Sequence, residues 1–139
     1  MLKFEDLKGA NVELTFGPNQ HRIESRHVLV VIKHNDRWLL TKHRIRGIEF
    51  PGGKAEAGEM IEQAAIRETL EETGVTIDNV HSFAEYVVFT DPPFCKAVFT
   101  GNVVHVERDY TLLETEGAVW MTDAELAACT ELSFHMKDR

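Results

Sequence analysis

Val12, Leu14 and Phe16 alternate with polar neighbours, the period-two pattern of a half-buried strand, and Gly17-Pro18-Asn19 closes the segment. The unbroken apolar run Val28 to Ile32 predicts a central strand. Asn35-Asp36 marks a tight turn into a second strand over Trp38 to Thr41, and this hairpin leads through His43-Arg44-Ile45-Arg46 to the loop Phe50-Pro51-Gly52-Gly53. The period then changes. From about Met60 to Thr73 the pattern predicts a helix, with Ile61, Ala64 and Ala65 on one half of it. Strand-like segments follow at Val75 to Ile77, Phe83 to Phe89 and Phe94 to Val104, with Asp91-Pro92-Pro93 as the break between the last two. A late strand near Ala118 to Met121 runs into Thr122-Asp123-Ala124-Glu125. There Thr122 and Glu125 have the spacing of a capping box, for a second helix through about Ala128.

Strands with one long helix and one C-terminal helix suit an α/β fold, a mixed sheet with helices on both sides. No repeat, low-complexity tract or linker divides the chain, so residues 1–139 are expected to form one domain. A hydrophobic fraction of 43% and a charged fraction of 27% are ordinary for a globular protein able to bury a core. The start, Met1-Leu2-Lys3-Phe4-Glu5-Asp6, lacks the organisation of a signal peptide, and Val28 to Ile32 is far too short to span a membrane. The expectation is a cytoplasmic protein without membrane contact. Cys95 and Cys129 lack metal-type spacing and read as reduced, partly buried thiols. The net charge of −8, with no dense Lys/Arg block, argues against stable binding of DNA or any long nucleic acid.

Acidic charge concentrates on the long helix. At about 100° per residue, Glu68, Glu71 and Glu72 fall within roughly 100° of arc, three carboxylates that repel one another unless a cation lies between them. Mg²⁺ or Mn²⁺ suits such a set, taking oxygen ligands and leaving positions open for substrate phosphates. An acidic protein acting on a polyanion needs such a bridge. The alternative is a solvated acidic face. Against it stand Ile61, Ala64 and Ala65 in the same half of the helix, which imply packing. Arg67 adjoins Glu68, and Glu59 opens the helix just after Gly58, so both are available to hold the acidic set in place.

The spacing Gly53, five residues, Glu59, seven residues, Arg67-Glu68, two residues, Glu71-Glu72, one residue, Gly74-Val75 resembles the Nudix box. Thr69 stands where that family usually has an aliphatic residue, a packing variation that touches no ligand position. The resemblance implies the Nudix α/β/α sandwich with its loop-helix, and a hydrolase of diphosphate linkages that uses Mg²⁺ or Mn²⁺. It implies Glu68, Glu71 and Glu72 as metal ligands with the Gly53 carbonyl, Arg67 as the group that orients the carboxylates, and Glu59 as support for the loop and helix junction. One glutamate must also act as general base, and Glu68 is favoured. Many family members recruit a further acidic residue from a later loop, for which Glu114 and Glu116 are the candidates, with Glu114 preferred. A solvated acidic loop is the alternative for this pair. Lys42, His43, Arg44, Arg46 and Lys54 flank the box and could bind phosphates, with Arg46, Lys54 and Lys42 the leading candidates. For at least half of them solvated surface charge is the commoner role.

Outside the box, the runs Trp38-Leu39-Leu40-Thr41-Lys42-His43 and Arg46-Gly47-Ile48-Glu49-Phe50-Pro51-Gly52-Gly53-Lys54, with Phe4-Glu5-Asp6 near the start and Leu132-Ser133-Phe134-His135-Met136-Lys137-Asp138 at the end, resemble a bacterial MutT-like branch of the family. That branch implies purine nucleoside triphosphates, oxidised guanine nucleotides included, cleaved to monophosphate and pyrophosphate. The nearest alternative partner is an RNA 5′ end. Other nucleoside diphosphate derivatives are a further alternative. A ligand-sensing module without activity would be expected to have lost box carboxylates that this chain keeps. Phe83, Tyr86, Phe89 or Phe134 could stack on a base, although aromatic residues in strands are more often core. Oligomeric state is not legible in these residues.

Overall fold

A computed structural model of the chain describes residues 2–5, 11–16, 25–43, 47–89, 93–107 and 115–129, with side chains from residue 25 onward except at 115 and 116. The strands are β1 (Leu2–Glu5), β2 (Asn11–Phe16), β3 (Ser25–Val30), β4 (Lys33–His34), β5 (Arg37–His43), β6 (Gly47–Glu49), β7 (Gly52–Lys54), β8 (Val75–Phe89), β9 (Phe94–Val106) and β10 (Thr115–Met121). Helix α1 spans Ile61–Thr73 and α2 spans Asp123–Ala128. Among the described residues, a six-stranded mixed sheet has the order β1-β2-β8-β9-β3-β7, in which β3 and β9 run parallel and the other pairs antiparallel. A smaller sheet has the order β10-β5-β4, with β6 also paired to β5.

Helix α1 lies between the two sheets. Its small residues Ala64 and Ala65 are fully buried and admit the helix closely against Val28, Val30, Ala97 and Phe99 of the large sheet and Leu39, Ala118 and Trp120 of the small one. Thr69 is fully buried too, and its hydroxyl is satisfied by donating to the Ala65 carbonyl at 2.8 Å. Gly74 ends the helix at φ 73°, in the left-handed region where glycine bears no Cβ cost, and its N–H donates to the Leu70 carbonyl. Helix α2 covers the other face of the small sheet, where Leu126 packs with Leu40, Ile48, Val119 and Met121. Its N-terminus carries the capping box read from the sequence: Thr122 Oγ1 accepts from the Glu125 N–H, and Glu125 Oε1 accepts from the Thr122 N–H.

The turn at Asn35 and Asp36, both at positive φ as their short polar side chains allow, joins β5 to the short β4; the expected hairpin partner, the Val28 to Ile32 strand, lies instead in the large sheet between β9 and β7. Strands β1 and β6 were not expected from the sequence, and several boundaries differ from its reading. The central strand ends at Val30, and Ile32 is buried beyond it. The two segments Val75 to Ile77 and Phe83 to Phe89 are one continuous strand, carried through three register shifts against β9 that absorb its polar middle. Gly52-Gly53, read as loop, belongs to a short edge strand against β3. Glu59 precedes the helix, which begins at Ile61 with Met60 as N-cap, because Gln63 Oε1 reaches back to the Met60 N–H. The tail at Leu132 to Asp138, with Phe134, lies outside the described residues, as does Phe4's side chain.

Candidate active site

The turn from residue 55 to residue 60 joins β7 to α1 and is fastened at several points. Ala55 N–H donates to the Arg26 carbonyl at 2.7 Å. The Arg26 guanidinium donates to the carbonyls of Glu56 and Glu59, at 2.7 and 3.1 Å. Glu59 Oε1 accepts from the Glu56 N–H at 3.0 Å. Arg67, one and a half turns into α1, then closes on the same turn: Nε donates to Glu59 Oε2 at 2.8 Å and Nη2 to Glu59 Oε1 at 3.0 Å. This two-pronged pair, backed by the Glu56 N–H, holds the Glu59 carboxyl down at about 2 and raises Arg67 further.

Arg67 has a third arm. Its Nη1 donates to Glu68 Oε1 at 2.7 Å and to Glu71 Oε2 at 3.1 Å. Glu68 leans over Gly53: a Cβ on Gly53 would stand 2.7 Å from the Glu68 carboxylate, so only glycine lets the β7 backbone pass this close. One turn further, Glu72 Oε2 accepts from the Gly52 N–H at 3.1 Å. A Cβ on Gly52 would collide with the Val28 carbonyl oxygen. The pair of glycines thus fits β7 between β3 and the two carboxylates.

The Glu68 and Glu72 carboxyls lie within hydrogen-bond reach of each other. Burial raises the pKa of both, and the nearby charge of Glu68, then of Glu49, raises Glu72 further, to about 9. Two half-buried carboxylates this close ionise together only at a cost, which a divalent ion between them would relieve. Among the described residues, no group of three or more His, Cys, Asp or Glu is already assembled around one point. Glu71 explains part of that: its side chain is 55% exposed and turned to Arg67.

Lys54 follows Gly53 directly and is exposed. Lys42 pairs with Ile48 and is half-buried; it adjoins Thr41, whose hydroxyl donates to the Glu72 carbonyl at 3.0 Å, so alternation along β5 directs Lys42 away from α1. Arg44, Arg46 and Glu114 lie outside the described residues, and for Glu116 only the backbone is described. Cys95 is fully buried, its thiol pushed up by burial and bonded to Ser25 Oγ at 2.9 Å, which leaves an unreactive group. Phe83 and Phe89 are partly exposed.

Sequence reasoning missed two residues that shape the site. Arg26, which braces the turn through two carbonyls, sits in a strand far from the box and has no spacing signal. Glu49, only 9% exposed, adds its charge to the Glu72 environment. An acidic residue in the otherwise apolar run Ile48 to Pro51 was the available clue.

A glycine edge strand, an acidic helix and an arginine that braces both define a hydrolase site for phosphoric anhydrides. Residues 24–137 match the NUDIX domain, and the chain belongs to that family. It is 33% identical, over 99% of its length and 89% of the relative, to the Bacillus subtilis protein named "Putative 8-oxo-dGTP diphosphatase YtkD". It is 56% identical over 52 residues, 34% of this chain and 40% of the relative, to the Escherichia coli 8-oxo-dGTP diphosphatase. In three dimensions it superposes on the Bacillus subtilis pyrophosphohydrolase BsRppH with a TM-score of 0.89 and 33% identity, covering 99% of this chain and 89% of that one. The chain is a Nudix hydrolase of the MutT-like branch, with the α/β/α sandwich of that family.

Proposed function

We propose that the protein is a metal-dependent pyrophosphohydrolase that cleaves purine nucleoside triphosphates, oxidised guanine nucleotides among them, to monophosphate and pyrophosphate. The observation that carries this reading is the half-buried carboxylate pair Glu68 and Glu72 held against the Gly52-Gly53 backbone. A bound Mg²⁺ or Mn²⁺ would neutralise charge on the phosphates, held by Glu68 and Glu72 with the Gly53 carbonyl, Glu71 and Glu114 as the further ligand candidates.

The chain's own residues supply position and proton transfer. Arg67 fixes Glu68 from the flank through Oε1. Gly52 N–H fixes Glu72 through Oε2. Glu68 accepts the proton of the attacking water, since Arg67 orients its carboxylate and burial raises its pKa above the ordinary carboxylate value. Glu59 keeps Arg67 in place rather than meeting substrate. Lys54, with Arg46 and Lys42 as the other candidates, meets phosphate charge. The full-length match to a pyrophosphohydrolase favours a second reading, in which the same site releases pyrophosphate from an RNA 5′ end. Among the described residues no helix is long and apolar enough to cross a membrane. A cytoplasmic place of action accords with nucleotide substrates.

The test is product analysis by chromatography, with Mg²⁺ or Mn²⁺, on nucleoside triphosphates, oxidised guanine triphosphates, sugar nucleotides and a short 5′-triphosphate RNA. Monophosphate and pyrophosphate from the free nucleotides, with RNA left intact, support the first reading. Preferential conversion of the RNA end to a monophosphate moves the function to the second. Inertness toward every substrate overturns both and points to a sensing module.

A further inference from the structure

Strand β3 turns Val28 and Val30 into the core beneath α1 and Leu29 to the opposite face of the large sheet, which by alternation is also the face of His27. Strand β7 divides in the same way. Gly53 pairs with Val28 and faces the Glu68 carboxylate, whereas Lys54 pairs with His27 and faces away from it. On the other flank of β3, Lys96 pairs with His27, and Tyr86 of β8 pairs with Lys96. Neighbouring strands therefore bring Lys54, His27 and Lys96 into one row. At ordinary strand spacing the Cα atoms of the two lysines lie about 10 Å apart.

This row is uncompensated. In a chain of net charge −8, neither Lys54 nor Lys96 has a carboxylate partner among the described residues. Burial lowers the pKa of His27, and the charges of Lys96 and then Lys54 lower it further. The aromatic faces are already engaged: the His27 ring packs on Phe94 at 4.9 Å between centroids, and Lys96 Nζ stands 5.7 Å from the Tyr86 centroid. The row therefore offers positive charge rather than open rings for a base. His27 Nδ1 is buried with no hydrogen-bond partner among the described residues. That nitrogen is closed off from solvent, so the outward charge of the row comes from the two lysines on either side of the ring.

We propose that Lys54, His27 and Lys96 form an anion subsite that holds the phosphate chain of the substrate beyond the bond being cleaved. The chain passes over β7 from the Glu68 and Glu72 pair to the opposite face of the sheet. Strand β7 permits this because it is the outermost strand of the large sheet and two of its three residues are glycine. The inference rests on the polyphosphate reading above, and the phosphate can belong to a free nucleotide or to an RNA 5′ end.

Binding of inorganic tripolyphosphate without divalent metal, followed by calorimetry, tests the subsite independently of turnover. Lys96→Met and His27→Leu are expected to weaken binding about tenfold or more, and Lys96→Arg to restore it to within about threefold. Thermal melts identify any variant that fails to fold, and Lys96→Met, at a half-buried strand position, carries the test if His27→Leu does. Equal affinity in wild type and Lys96→Met, or no binding by wild type, overturns the inference. In turnover, Lys96→Met is expected to raise KM about tenfold with kcat nearly unchanged. An effect on both a nucleoside triphosphate and a 5′-triphosphate dinucleotide assigns the row to the 5′ phosphates, and an effect on the dinucleotide alone to the internucleotide phosphate. Lys96-dependent binding of tripolyphosphate by a protein that hydrolyses neither substrate would leave the subsite standing and remove the hydrolytic reading.

Discussion

Arg67 grips Glu59 with two nearly parallel bonds, Nε to Oε2 at 2.8 Å and Nη2 to Oε1 at 3.0 Å, and so ties the middle of α1 to the turn that precedes it. The remaining arm goes to Glu68. One side chain thus sets the geometry of the turn and the direction of the proposed base together. Lysine at position 67 keeps the charge but not the planar fork. Arg67→Lys is expected to lower kcat by about 100-fold or more and stability by about 1–3 kcal/mol, read from steady-state kinetics and urea unfolding. Unchanged values of both would show that the fork has no bracing role.

Gly53 and Gly58 make a matched pair for testing how close the backbone must come to Glu68. A Cβ at Gly53 meets the Glu68 carboxylate at 2.7 Å, whereas a Cβ at Gly58 meets nothing within 4 Å. Gly58 instead sits at φ 79°, which costs an alanine about 1 kcal/mol of backbone strain. Gly53→Ala is expected to reduce activity at least about tenfold with little change in melting temperature. Gly58→Ala is expected to do the reverse, lowering the melting temperature by a few degrees at nearly full activity. Equal activities in the two variants would mean that Glu68 can move aside without consequence.

The catalytic helix was legible because its signals are local: Ala64 and Ala65 at helical spacing, Gly74 at the stop, and carboxylates that lie on one face by arithmetic. The turn at Asn35-Asp36 and the capping box at Thr122 and Glu125 were legible for the same reason, although the strand expected across that turn lies in the other sheet. Pairings between distant strands were not. Gly52-Gly53 reads as loop in isolation and becomes a strand only because β3 lies beside it. The polar stretch Asp78 to Ser82 reads as a break and is carried by irregular pairing with β9. Arg26 and Lys96 owe their roles to neighbours more than 25 residues away in the chain, by way of hydrogen bonds and register that no local pattern encodes. Within the helix, arithmetic grouped Glu71 with Glu68 and Glu72, and the fold adds that Glu68 and Glu71 accept from the same Arg67 Nη1 while Glu71 stays exposed.

Glu68→Gln removes one charge with almost no change of shape. If Glu68 both helps to hold the metal and takes the proton from water, turnover is expected to fall by about 10³-fold or more while the melting curve is preserved. A folded Glu68→Gln protein with normal activity would remove the proposed mechanism. The later acidic loop can be tested beside it: Glu114→Gln is expected to impair turnover more than Glu116→Gln, and near-wild-type rates in both would return those residues to solvated surface.

The raised carboxyls of Glu68 and Glu72 make metal binding and pH one question. Burial raises both carboxyls, so the folded metal-free protein holds its proton more tightly than the unfolded chain does. The stability that Glu72 contributes is therefore fully present below the ordinary value of 4.5 and is lost as pH rises toward about 9. Glu59 has the opposite sign: its contribution is present above 4.5 and is lost as pH falls toward about 2. Between these limits the metal-free protein is expected to melt at progressively lower temperature as pH increases from about 5 to about 9. A divalent ion between these carboxylates must displace the proton that the raised Glu72 carboxyl holds, so its affinity is expected to increase with pH over the same window, by at most about tenfold per unit for one proton released. Thermal melts with and without Mn²⁺ across that range check both statements. Mn²⁺ should protect more strongly at the alkaline end, and Glu72→Gln should flatten the metal-free slope and weaken the protection together. Protection by Mn²⁺ that does not vary with pH would place the metal somewhere other than between Glu68 and Glu72.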